Sequence, residues 1–172
     1  NAPNPEGGRY VPNPDPDARA LVLFEFDGAR RQGALMSRNN RERIEEQGPA
    51  DSVWRVRVQP DIVFPSPILY REGRIDTARF THLHIRWRLQ APDGADAKTK
   101  IVLRHDVWQG EDLPVSVPAD GQWHESVVDL RRSPAWEKWT RRGRIGVQLP
   151  TSEEGPVTTS IDWIRLEAAP QE

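Results

Sequence analysis

The chain has 172 residues, no cysteine, and 24 basic against 26 acidic residues, for a net charge of -2. Without thiols there is no disulfide framework, thiolate metal site or cysteine nucleophile, and the balanced charge argues against nucleic acid as a partner, which needs a strong positive field. The longest apolar run, Ala20–Phe24, is far short of the ~20 residues that cross a bilayer, so no membrane span is expected.

Residues 1–19 hold five of the 16 prolines and show no apolar periodicity. They are expected to form an extended arm outside the core, lying on its own domain or on a neighbouring subunit. From residue 20 to residue 168 the pattern reads as one domain of short strands, with 169–172 a tail. Ala20–Phe26 is a Val, Leu and Phe run stopped by Asp27-Gly28. Asn39–Gln47, with an Asn cap and the single apolar residue Ile44, reads as at most a surface turn of helix. Val53–Val58 alternates, with Trp54, Val56 and Val58 on one face and Arg55 and Arg57 on the other.

Thr81–Gln90 is the clearest strand. Leu83, Ile85, Trp87 and Leu89 share one face, while His82, His84, Arg86 and Arg88 share the other. Ile101–Trp108, Trp123–Leu130, Arg144–Leu149 and Ser160–Glu167 continue the series, separated by turn signals such as Asp120-Gly121 and Gly155-Pro156. Seven or more short strands, each with one solvated face, predict an all-β antiparallel sandwich.

Catalytic constellations are missing. The sequence has no G-x-S-x-G, H-E-x-x-H, phosphate loop or dinucleotide fingerprint. His82 and His84 share a strand face and could in principle share a metal, but Arg86 and Arg88 on that face oppose a cation. Glu153-Glu154 sits in a turn and does not make a carboxylate pair across a cleft. The chain is therefore expected not to be an enzyme.

From about Asp61 to Glu167 the motif order resembles the galactose-binding-like jelly roll, a class of carbohydrate-binding-module-type β-sandwiches. Its carriers are Pro60-Asp61-Ile62-Val63, His84-Ile85-Arg86-Trp87, Asp120-Gly121-Gln122-Trp123-His124, Pro134-Ala135-Trp136, Arg144–Leu149 and Ile161-Asp162-Trp163-Ile164-Arg165-Leu166. The insertion Thr140-Arg141-Arg142 after Trp136-Glu137-Lys138-Trp139 departs from that pattern. The resemblance implies a jelly-roll sandwich of secreted or cell-surface proteins and a polysaccharide partner. It also implies a structural calcium ion held by acidic residues of the first and last strands, for which Glu25, Asp27 and Asp162 match in kind.

Within that frame Trp54, Trp87, Trp123 and Trp136 are expected in or capping the core. Trp108 and Trp139 are left as stacking platforms for a pyranose, or as rim residues meeting a loop or subunit. Arg55, Arg57, His82, His84, Arg86, Arg88 and Arg104 come from three strands. If those strands are neighbours they form a basic face suited to an acidic glycan, or else a solvated face balanced by Asp106 and Glu125. Two functions follow: an extracellular carbohydrate-binding module, or a structural subunit of an extracellular filament that self-associates through residues 1–19.

Overall fold

The computed structural model describes residues 10–26, 35–36, 44–50, 52–60, 67–92 and 96–169. In chain order its strands are β1 (Ala20–Glu25), β2 (Leu35–Met36), β3 (Ile44–Ala50), β4 (Val53–Val58), β5 (Ile68–Glu72) and β6 (Phe80–Gln90). They continue with β7 (Asp96–Asp106), β8 (Gln109–Gly110), β9 (Leu113–Pro118), β10 (Asp120–Asp129), β11 (Arg144–Gln148) and β12 (Val157–Ala168).

These strands make two antiparallel sheets. The first runs β10-β6-β12-β4-β3, and the second runs β2-β5-β11-β7-β8, with β9 also on β7. Strand β12 is the spine of the first sheet. One edge pairs with β6 along its length; the other pairs with β4 over Val157–Ile161 and with β1 over Trp163–Glu167, across a register shift at Asp162. Alternation then decides the core. Leu83, Ile85, Trp87 and Leu89 of β6 face Ile101 and Leu103 of β7 and Ile145 and Val147 of β11 across one continuous apolar cluster.

Trp54 and Trp87 lie fully inside, and Trp136 plugs one end, its indole donating to the Phe80 carbonyl at 3.0 Å. All three tryptophans are where alternation and loop position put them.

Two expectations change. Ile44–Ala50 is strand rather than helix, because pairing along β4 outweighs a weak local helix signal; residues 39–43 lie outside the described residues. Its Pro49 is tolerated since β3 is an edge strand. Trp123 is on the outer face and half-buried. From Trp123 to Asp129 the ladder with β6 stays in register, so Trp123 shares the outer face with Glu125 and Val127, opposite Arg88, while Val128 turns inward; the β-bulge lies before it, between Asp120 and Trp123.

Of the N-terminal arm, residues 1–9 lie outside the described residues; in the remainder Val11 is 2% exposed and joins the core cluster. Val11 N–H donates to the Glu72 carbonyl at 2.8 Å, and Arg79 donates to the Asp15 carbonyl at 2.6 Å and to the Ala18 carbonyl through Nε at 2.9 Å. Beside it Arg71 is buried with its guanidinium 5.1 Å from the Phe24 ring, and desolvation pushes its pKa down to about 10.

Candidate functional site

The outer face of the second sheet carries the most exposed tryptophan. Tyr70 of β5, Gly146 of β11 and Val102 of β7 are cross-strand neighbours, as are Glu72, Arg144 and Arg104 in the next row. The β7–β8 turn folds Trp108 toward this face. Its ring meets Tyr70 edge-on at 5.8 Å between centroids, and it is 52% exposed. The Arg144 guanidinium covers one side of the indole at 4.2 Å from its centroid and reaches Tyr70 at 5.6 Å.

Two features hold the platform. Val107 has φ 53°, a left-handed backbone that a β-branched side chain resists, and strain of this kind persists only when its surroundings impose it. The imposition comes from the following loop. Val107 N–H donates to the Arg142 carbonyl at 3.1 Å, Arg142 pairs with Asp106 at 3.1 Å, and Thr140 N–H donates to the His105 carbonyl at 3.0 Å. The basic insertion Thr140-Arg141-Arg142 thus acts as the brace of the Trp108 turn.

Charge on this face is internally matched. Arg144 pairs with Glu72 at 3.3 Å, while Arg104 pairs with Asp112, which also accepts from Lys100 at 2.9 Å and from the Leu103 N–H at 3.1 Å. Burial raises the Asp112 pKa, but the Arg104, Lys100 and Leu103 hydrogen bonds outweigh it and leave the carboxyl below its ordinary value. A depressed carboxylate contributes stability above its unfolded pKa, about 3.9, and that contribution fades as pH falls through the folded value. Asp112→Asn is therefore expected to cost on the order of 2 kcal/mol at neutral pH. In urea titrations the gap to the parent should close as pH drops below about 4; a gap independent of pH would remove the ionic account.

Arg104 thus belongs to the second sheet, and the strands bearing the other arginines belong to the first, so the expected single basic face does not form. Within the first sheet β12 also separates β4, with Arg55 and Arg57, from β6, with His84, Arg86 and Arg88. The lower half of that outer face is neutralised. His84 lies 3.1 Å from Glu125 and 2.7 Å from Glu167, and Arg86 pairs with Asp162 at 3.2 Å. Asp106, the other expected counter-charge, pairs with Arg142 instead.

Trp123 lies beneath Arg86 and Arg88, at 5.0 and 4.9 Å, and Arg165 covers Trp163 at 4.0 Å. Trp139 is half-buried on Trp136, donates to the Gly73 carbonyl at 2.9 Å, and edges a depression with Arg74, Ile75 and Arg141.

Of the acidic trio, Glu25 stands opposite Trp163 and Asp162 is held by Arg86, while Asp27 lies outside the described residues. A cation shared by the three has to displace Arg86. Alternation had flagged neither Tyr70 nor Arg144, although Leu69 and Arg71 turn inward and leave Tyr70 out. The five-residue run Ile68–Glu72 carries that alternation.

Two antiparallel sheets around a tryptophan-rich core make the chain a β-sandwich, a fold it shares with solved structures of carbohydrate-binding modules. It superposes on a mutant of a family 29 carbohydrate-binding module with a TM-score of 0.52 at 10% identity, covering 86% of this chain and 89% of that one. A structure described under the promiscuous specificity of carbohydrate-binding modules from the β-sandwich superfamily gives 0.52 at 20% identity, covering 83% and 60%. PfGH50B gives 0.58 at 12% identity, covering 81% of this chain but spanning only 23% of that protein's length. No protein-family model matches the chain, and no curated protein does. Among the described residues, no helix is long and apolar enough to cross a membrane.

Proposed function

We propose that the chain is a non-catalytic, extracellular carbohydrate-binding module that stacks a pyranose on Trp108 beside Tyr70. The observation that carries this reading is the half-exposed indole locked by Val107 and Arg144. An aromatic plane held rigid before the ligand arrives loses little entropy on binding. Arg104, Arg144, Glu72 and Asp112 around it offer donors and acceptors already neutralised in pairs, which suits the hydroxyls of a neutral sugar. Solved structures of similar fold described as carbohydrate-binding modules support the same role. An extracellular or cell-surface location is part of this proposal, as is a structural calcium ion at Glu25, Asp27 and Asp162, which has to displace Arg86 from Asp162.

Trp108→Ala is expected to lower affinity for a neutral polysaccharide at least about tenfold, equivalent to about 1.4 kcal/mol, with Tm unchanged. The probe is affinity electrophoresis against soluble β-glucan, xylan, mannan and galactan. Equal retardation of parent and variant on every gel would overturn the assignment of the face.

The competing role, a filament subunit joined through residues 1–19, needs an arm free to reach a neighbour. Tyr10–Arg19 is held instead by Val11 burial and by the Arg79 hydrogen bonds, which supports the lone module. Light scattering over a range of concentrations is expected to return one mass near 19.6 kDa. Polymers that persist on dilution would favour the filament.

A further inference from the structure

The upper half of the first sheet's outer face holds a trough that the Trp108 platform does not touch. Its shape follows from side-chain length. Ser160 of β12 is the cross-strand partner of both Arg88 and Arg55, and Thr158 is that of both Gln90 and Arg57. Short hydroxyl residues therefore run down the middle strand between taller rows on β6 and β4, and Ser160 is only 2% exposed at the floor. The bulge at Asp120–Trp123, turned by Gly121 at φ 75°, raises the β10 rim. The result is an open cavity of about 600 Å³ lined by Arg55, Arg88, Gln90, Gln122, Thr158 and Ser160, with Asp120 and Gly121 at its edge. A smaller cavity of about 310 Å³ extends it past Arg57 and Pro156, sharing Gln90 and Thr158.

Its charge differs from that of the Trp108 face and of the lower half of this sheet. Among the described residues Arg55, Arg57 and Arg88 have no ion-pair partner, although Arg57 has Glu45 as its neighbour in register. Asp120 is tied to its own strand by the Gln122 N–H at 2.9 Å and by His124 at 2.9 Å. Arg55 Nε donates to Ser160 Oγ at 3.2 Å, and the Arg88 guanidinium rests over Trp123. Both guanidinium groups are thereby oriented before a ligand arrives. Their strands are two spacings apart, about 10 Å.

We infer that this trough is a second binding site, for an anionic glycan whose sulfate or carboxylate groups sit against Arg55 and Arg88. Oriented guanidinium forks match planar or tetrahedral oxyanions with paired hydrogen bonds. The hydroxyls and amides between them meet neutral sugar hydroxyls, and the net charge of -2 disfavours a nucleic acid. The glycan chemistry rests on the module reading, whereas the site itself is independent of Trp108.

The test is isothermal titration of the whole chain at fixed ionic strength with carrageenan, polyguluronate, neutral galactan and an oligothymidylate. Arg55→Gln with Arg88→Gln is expected to weaken carrageenan or polyguluronate binding at least tenfold, and Trp108→Ala to leave it unchanged. Carrageenan alone identifies sulfate esters as the recognised groups, polyguluronate alone identifies carboxylates, and both identify the shared oxyanion; each supports the site. Thr158→Phe, which fills the floor and keeps both arginines, should give the same loss if the double variant folds poorly. Undiminished binding by both variants, no binding of either polyanion by the parent, or oligothymidylate bound as tightly as the glycans overturns the inference. Neutral galactan left unbound by the parent, or bound equally by parent and Trp108→Ala, with the anionic binding intact overturns only the Trp108 reading.

Discussion

Trp87→Ala is expected to destabilise the domain by about 3–5 kcal/mol, a large part of the roughly 5–15 kcal/mol that holds an ordinary domain together. Trp87 is fully buried on β6, between β10 and β12, where neither sheet can move inward without breaking two ladders. The substitution removes the largest kind of side chain from a site that cannot collapse. It also strands Ser126, whose hydroxyl accepts from the indole nitrogen at 3.0 Å. Trp87→Phe separates the two contributions, since it restores most of the volume and leaves the hydroxyl unpaired, for about 1–3 kcal/mol. Urea unfolding followed by fluorescence measures both, and an alanine variant within 1 kcal/mol of the parent, as an order-of-magnitude bound, would mean that the core relaxes far more than these ladders allow.

The second large effect joins stability to the candidate site. A Cβ added at Gly146 collides with the Leu69 carbonyl oxygen and lies 2.6 Å from the Tyr70 Cα, both on the neighbouring strand β5. Backbone cannot step aside as a flexible side chain can, so Gly146→Val has to prise β11 from β5. Overpacking of this kind costs about 1–3 kcal/mol, and more when a ladder is broken. The same displacement carries Tyr70 and Arg144 away from Trp108, so affinity for a neutral polysaccharide is expected to fall alongside Tm.

Gly121 is the control. Its φ of 75° favours glycine, yet nothing lies within 4 Å of an added Cβ. Gly121→Ala should cost only the conformational preference, about 1 kcal/mol. Equal losses at the two glycines would show that close approach of β5 is not what requires Gly146.

How far these features can be read from the chain differs between core and surface. Alternation in Thr81–Gln90 and Val53–Val58 is a local property, because successive side chains of any strand point to opposite faces. It was enough to place Trp54 and Trp87 inside and to require a sandwich. The same alternation sets Trp123 outward with Glu125, a facing that its place beside the Asp120-Gly121 turn obscures; it does not reach Ile44–Ala50, where β4 supplies the bonds that local propensity does not. That limit is tertiary, since an edge pairing exists only once a partner strand is present.

The same boundary divides the site. Residue types alone marked Trp108 as spare from the core and the arginines as abundant. Only strand order separates Arg104 from Arg55 and Arg88 onto opposite faces, brings Tyr70 and Arg144 to Trp108, and sets Ser160 and Thr158 between two arginine-bearing strands. Side-chain direction along a strand is written in a period of two residues, but which strand lies alongside is decided by burial of the whole chain. That choice determines which charges find partners among the described residues.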